Sequence, residues 1–394
     1  MSKLFDKFCL FALNLRNLFV IYFLLAVSAG IHSYLIGPQE FAGRQYTHYN
    51  NFLTFKYSYF HLIQNKDLYI EYPDEHWDYF KYSPTFALMM FPFAYLPNLI
   101  GLLLWNLVNS LILFFAIKEL KIDDKIKALI LWFTAIELLT SIQNEQSNGL
   151  IAGLFILSFV LFEKNKPLLA TLLLTLSAYI KIFGVVGFIL ILLYPNKLKT
   201  IFYSIFWMIL FAVAPLVVVS LDQLKFLYTS WMNLLQWDYS ASLGLSVAGW
   251  LKTWFNLEPP KFLITLFGAI FLLLPLLKWK NFENFGFRFL YLALILIWVV
   301  IFNHKAESPT YVIAISGVAI WYFSQRKKLV NFVLLIFAFI FTSLSPTDLF
   351  PKFLRDSLVI PYVLKAVPCI FIWMKLTYEI IFDKFELKKE IKWT

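Results

Sequence analysis

Charge is scarce in this chain of 394 residues: 15% are Asp, Glu, Lys or Arg, while 60% are hydrophobic. A soluble chain carries roughly 25% charged residues, so this one cannot coat a water-facing surface of its size. Cysteine is nearly missing. Cys9 and Cys369 each sit in an apolar run, which excludes a disulfide framework and a cysteine-rich metal site. No His-Glu-x-x-His, Cys-x-x-Cys or phosphate-loop pattern occurs, so the metalloprotease and ATPase classes have no support and no metal is expected. The apolar runs do not alternate, which excludes a β-barrel. The first of them ends in AGIHSYLIGPQE without a small-x-small cleavage site, and it is expected to stay as an anchor. No internal repeat stands out. The net charge of +10 falls mostly in short loops between apolar runs, as membrane orientation requires, so nucleic acid is not an expected partner.

The apolar runs, of about 20 residues each, define the fold class. The expectation is an all-α, polytopic integral membrane protein of about 11–13 transmembrane helices, some broken or halved. It forms a single membrane domain over residues 1–394, with a first external loop at 37–83 and a second at 221–258. Within the first loop, Phe52, Phe55, Tyr59, Leu62 and Ile63 recur at helical spacing and predict an amphipathic interfacial helix. Pro84, Pro92 and Pro97 predict a short broken helix and then a span from about Pro97. A single span is expected over 357–382. The run 167–194 is too long for one helix and too short for two full ones. A hairpin of two half-helices returns residues 195–199 to the side of the basic loops 118–127, 163–166, 278–288 and 324–328, and leaves Lys181 near the tip. Both termini are then cytoplasmic. The polar stretches face outward, toward the periplasm if the membrane is a bacterial inner membrane.

The polar side chains on that outer side are the candidates for chemistry. The first loop offers Asn50, Asn51, Glu71, Asp74, Glu75, His76, Asp78 and Lys81. Glu137, Ser141, Glu145 and Asn148 follow near helical spacing, and the segment 303–309 adds His304, Lys305 and Glu307. A charge at the bilayer centre costs roughly 2.5–3.5 kcal/mol on insertion scales, so Lys181 needs water, a partner or a ligand. Glu137 and Lys181 are either part of a site or structural ions, paired with each other or elsewhere. The Tyr and Trp clusters fit an interfacial belt or a sugar platform. Broken helices around a mid-membrane lysine suit a transporter or flippase for a lipid-linked or polar substrate.

Three segments carry a resemblance. NFLTFKYSYFHLIQNKDLY resembles an Asp-Phe-x-x-Tyr helix that ends in Leu-Tyr. FKYSPTFALMMFPFAYLPNLIGLLLWNLVN resembles a Tyr-x-Tyr-Pro-Pro stretch followed by Leu-Pro and a Leu-Trp-x-x-x-Asn helix. NEQSNGL and the chain up to Lys181 are similar to a Gly-Gln-x-Asn segment with a later Lys. In this order and spacing, over about residues 50–195, they look like glycosyltransferase family 87 of the GT-C superfamily. Its known members are polyprenyl-phosphomannose-dependent α-mannosyltransferases in membranes. The resemblance implies a GT-C-like fold and hexosyl transfer, mannose foremost, from a polyprenyl-phosphate-linked donor to a glycan or glycolipid acceptor at the outer face. It implies no cofactor beyond that lipid-linked sugar, and membrane lipids as surroundings. The family's first-loop Asp, its proposed base, falls on Asn51; its Pro-Pro is Ser83-Pro84 and its Gly-Gln is Glu145-Gln146. An amide cannot take up a proton, so Asp74, Asp78, Glu145 and Glu307 stand as base candidates, or the chain is a catalytically altered relative. Lys81, Lys181, His304 and Lys305 are the candidates for the donor phosphate, with Tyr82, Gln146 and Asn148 as further substrate contacts.

Overall fold

A computed structural model describes residues 11–240, 243–326, 328–382, 384 and 386–388. Cys9 and the terminal residues 1–10 and 389–394 lie outside it. Among the described residues the regular structure is helical, apart from a two-stranded hairpin, β1 Gln39–Phe41 with β2 Arg44–Tyr46, and a bridge between Gln325 and Leu387. In order, the helices are α1 Leu15–Leu35, α2 Asn50–Ile63, α3 Pro84–Met89, α4 Phe91–Ala94, α5 Asn98–Lys118, α6 Asp124–Gln143, α7 Asn148–Glu163, α8 Pro167–Ile180 and α9 Lys197–Val213. Then come α10 Leu221–Ser240, α11 Val247–Phe255, α12 Lys261–Leu273, α13 Phe285–Ile301, α14 Tyr311–Ser324, α15 Leu329–Phe337, the short α16 Lys352–Leu354, and α17 Val367–Ile381.

Four stretches are long and apolar enough to cross a membrane: 15–35, 98–118, 124–143 and 197–217. Shorter apolar helices at 148–163, 167–180, 182–193, 261–277, 285–301 and 329–344 accompany them. This is an all-α polytopic membrane protein, as the composition requires. Helices α13 and α14 form its centre: residues 289–301 and 311–321 are all buried. Helices α9, α12 and α15 stand outside them and expose Phe202, Ile209, Phe262, Phe267, Leu329 and Val333. Such apolar surface suits lipid rather than water.

Small residues and polar bonds hold neighbours together where apolar burial gives little advantage over lipid. A Cβ on Gly153 of α7 would meet the backbone of Ile112 in α5 at 2.9 Å. The Tyr22 hydroxyl of α1 donates to the Leu131 carbonyl of α6 at 2.8 Å. Asn109 Oδ1 of α5 accepts from the Leu150 amide at 3.1 Å, filling an otherwise open donor at the start of α7.

The hairpin reading of 167–194 holds in a form that periodicity does not reveal. Helix α8 has 14 residues and runs about 21 Å at 1.5 Å per residue. The return strand of the hairpin, Ile182–Leu193, is a 12-residue 3-10 helix, about 24 Å long at 2.0 Å per residue. Winding tighter lets fewer residues cover the same depth. Gly184 makes the turn possible, because a Cβ there would lie 2.5 Å from the Ser177 carbonyl carbon.

One expected span is broken. Residues 357–382 do not form one helix: a π-helix at Arg355–Val359 gives way to turns, Val363 takes φ +54°, and α17 starts only at Val367. Pro361 and Pro368 cause the interruption, since each lacks the amide that a continuous helix needs. Helix α2 also departs from expectation. It is not a surface helix, for Phe52, Phe55, Tyr59 and Leu62 are all buried against the bundle.

Candidate active site

The site is assembled from four loops at one end of the bundle. The first is the end of the 37–83 loop, which is pinned from several sides. Asn50 Oδ1 at the start of α2 accepts from the Trp77 amide at 3.1 Å. The ring Nδ1 of buried His76 donates to the Asp78 carbonyl at 2.7 Å. Trp231 Nε1 of α10 donates to the Lys81 carbonyl at 3.1 Å, and the Tyr69 hydroxyl donates to the Tyr82 carbonyl at 3.0 Å. Ser83 then caps α3 by accepting from the Phe86 amide, with Pro84 in the first turn. Its hydroxyl also reaches the Tyr179 carbonyl of α8 at 2.5 Å. Ser83-Pro84 thus serves as cap and first helical residue, tying Tyr82 to the hairpin tip.

The second loop is the turn between α6 and α7. Glu145 sits there with φ +49°, a left-handed conformation that costs a non-glycine residue roughly 1–2 kcal/mol. The turn presents Gln146 and Asn148 to the third element, the hairpin tip. Lys181 Nζ donates to Asn148 Oδ1 at 2.8 Å and to Gln146 Oε1 at 3.2 Å. The Asn148 amide donates to Gln146 Oε1 at 2.7 Å. The fourth loop, 303–310, closes the chain: Gln146 Nε2 donates to Glu307 Oε2 at 2.8 Å. The Lys181 ammonium lies 5.9 Å from the Tyr82 ring centre, within cation–π range.

A second ionic group adjoins this one. Lys81 lies 3.2 Å from Asp78 and 3.9 Å from Asp238, and Asp238 in turn lies 3.0 Å from Lys305. Burial works against the Lys81 charge, but Asp78, Asp238 and Glu307 outweigh it and hold the ammonium above its ordinary value. His304 behaves oppositely. Burial, with Lys261 and Lys305 nearby, pulls its pKa down to about 4. At neutral pH it offers a hydrogen-bonding ring rather than a charge, and the positive charge rests on Lys81, Lys181 and Lys305.

Nine of the expected residues therefore meet: Asp78, Lys81, Tyr82, Gln146, Asn148, Lys181, His304, Lys305 and Glu307. Three stand apart. The Asp74 side chain is 94% exposed and paired with Arg44 at 2.8 Å. The Glu145 side chain is buried near Ser33 of α1, whose hydroxyl donates to the Gln143 carbonyl at 3.4 Å. Asn51 donates to the Asn144 carbonyl at 2.9 Å, bracing the α6–α7 turn from α2. Glu137 does not pair with Lys181 either; it binds Lys365 at 2.6 Å. Sequence reasoning did not single out Asp238, the carboxylate between two lysines. Its signal lay in α10, where Ser230, Trp231 and Asp238 share a face at spacings of seven and eight. Ser230 donates to Asp67, and Trp231 and Asp238 both engage Lys81. Among the described residues no group of three or more His, Cys, Asp or Glu is arranged to hold a metal ion.

The family model for glycosyltransferase family 87 matches residues 80–346, more than half of the chain. No curated protein matches it. The matched region contains the α6–α7 turn, the hairpin tip and the 303–310 loop; it begins after Asn51, Asp74 and Asp78.

Proposed function

Because the chain belongs to glycosyltransferase family 87 and is thus a membrane glycosyltransferase, we propose that it moves a hexose, mannose foremost, from a polyprenyl-phosphate donor to a glycan or glycolipid acceptor at the outer membrane face. The observation that carries this reading is the polar chain Glu307–Gln146–Asn148–Lys181 beside the Asp78–Lys81–Asp238–Lys305 group. It sets ammonium groups and a reachable carboxylate side by side, which is what displacement of a sugar from a lipid phosphate needs. Gly-Gln-x-Asn and the later Lys of the family pattern correspond to Gln146, Asn148 and Lys181 within it.

In this reading an acceptor hydroxyl attacks the anomeric carbon. The bond from that carbon to the phosphate oxygen breaks, and polyprenyl phosphate leaves with the electron pair. Lys181 and Lys81 stabilise the charge that grows on the phosphate, in a partly dry site where fixed charges act strongly. Asp78 takes the hydroxyl proton. Its side chain is 42% exposed, and its backbone is fixed by His76. Glu307 already accepts from Gln146, and we assign it to holding Lys181 in place through that amide. Asp238, only 14% exposed, keeps Lys81 and Lys305 together.

The test is to incubate the purified, monodisperse protein with labelled polyprenyl-phosphate mannose, glucose and galactose, together with a membrane glycolipid extract. Release of polyprenyl phosphate with label moving to an acceptor is expected for one sugar. No release with any of them from folded protein would sink the proposal.

A further inference from the structure

At the opposite end of α8 from Lys181 lies a cavity of 430 Å³. It opens where α7 ends, α8 begins and the hairpin returns to α9. Its inner wall is aromatic: Tyr194 stacks on Phe162 with ring centres 4.8 Å apart, and Tyr203 lines another side. That wall is locked in place. The Tyr194 hydroxyl donates to Glu163 at 2.6 Å, and Arg288 grips both Glu163 oxygens at 2.6 and 2.7 Å.

This lock matters for charge. Lys166 and Lys199 line the cavity, and the nearby carboxylate, Glu163, is already committed to Arg288 and Tyr194. Lys199 leans over the Tyr203 ring at 5.8 Å. Among the described residues, neither Lys166 nor Lys199 has a carboxylate partner. The lip is of another kind: Leu168 and Leu169 are 40% and 44% exposed on a membrane helix. Orientation of the chain in the bilayer accounts for lysines in these loops. It does not account for a recess with a locked aromatic wall that sets two ammonium groups without carboxylate partners beside two exposed leucines. We propose that this cavity binds one anionic phospholipid, its phosphate ester between Lys166 and Lys199 and its acyl chains along Leu168 and Leu169. A free phosphate has the same head chemistry but would make no use of the leucine lip. Basic pockets between transmembrane helices take lipid head groups in this way.

The test uses native mass spectrometry of the purified full chain with added phosphatidylglycerol, phosphatidylcholine or inorganic phosphate. One tightly retained phosphatidylglycerol is expected, with phosphatidylcholine lost readily. The Lys166→Gln/Lys199→Gln variant should weaken retention roughly tenfold or more. The Lys278→Gln/Lys280→Gln variant removes equal charge nearby and should keep it. Equal loss in both variants would reduce the effect to diffuse charge and overturn the proposal, as would no loss in either. Inorganic phosphate that protects the protein from heat as well as phosphatidylglycerol does would overturn the lipid as occupant.

Discussion

Glu145 shows how a family pattern becomes physical at a single residue. The resemblance places a glycine there, and the backbone φ of +49° explains why. The side chain that this chain puts in its place is buried, and burial holds its carboxyl well above the ordinary value, with Ser33 offsetting only part of the effect. Between the unfolded value near 4.5 and the raised folded one, the native state binds more protons than the unfolded state. Stability contributed at this position is therefore highest at low pH and falls as pH rises through that window. Glu145→Gly should raise the thermal midpoint at pH 7, remove that slope and leave turnover intact; lost turnover in a folded variant would return Glu145 to the list of bases. Asp78 gives the contrasting case. Asp78→Asn should cut turnover by on the order of 10²–10⁴ with donor affinity kept, whereas Glu307→Gln should mainly weaken donor binding. If the two effects exchange places, the base is Glu307. These roles were only partly legible in the sequence. The residue types were, but whether a loop carboxylate faces Arg44, Ser33 or Lys81 depends on contacts between distant segments.

At the scale of elements, apolar length and proline position carried most of the reading. Pro97 opens α5 and the turn at 144–147 separates α6 from α7, as run lengths require. The 3-10 winding of 182–193 was not legible. Hydrophobic periodicity separates poorly between helix types in a run that is apolar on every side, and only the length mismatch hinted at it. Hydropathy alone predicts one span over 357–382, but Pro361 and Pro368 interrupt it. The hairpin yields a sharp expectation. Gly184 touches the Ser177 backbone, and Ser177 also accepts from the Lys181 amide at 2.9 Å. Gly184→Val should push the two strands of the hairpin apart, move Lys181 off Gln146 and Asn148, and abolish donor binding while the protein stays monodisperse. Gly184→Ala should show a milder form of the same loss. Unchanged donor affinity in the valine variant would mean that the hairpin tip does not set the site.

Across the whole molecule, three ion pairs and one cation–π contact fix how the parts face. Lys365 and Glu137, 4% and 0% exposed, join the irregular segment before α17 to α6, and Lys365 also donates to the Thr342 carbonyl at 2.7 Å. Removing either partner alone should cost about 3–5 kcal/mol by leaving a buried charge unmatched, while Glu137→Leu with Lys365→Met should recover most of that in a denaturation cycle. The other three concern sidedness. Glu163 binds Arg288, Lys164 binds Glu119 at 2.6 Å, and Lys197 lies over the Phe282 ring. The basic loops 118–127, 163–166, 195–199 and 278–288 are therefore drawn to one end, away from Lys181. The positive-inside tendency is the ground for the proposal that this end is cytoplasmic and the lysine–carboxylate cluster external. In a background without Cys9 and Cys369, Asp74→Cys should react with an impermeant maleimide in intact cells, since its side chain is nearly fully exposed. Lys280→Cys should react only after the membrane is opened. The reverse pattern would turn the site toward the cytoplasm, and with it the leaflet from which the sugar donor must come.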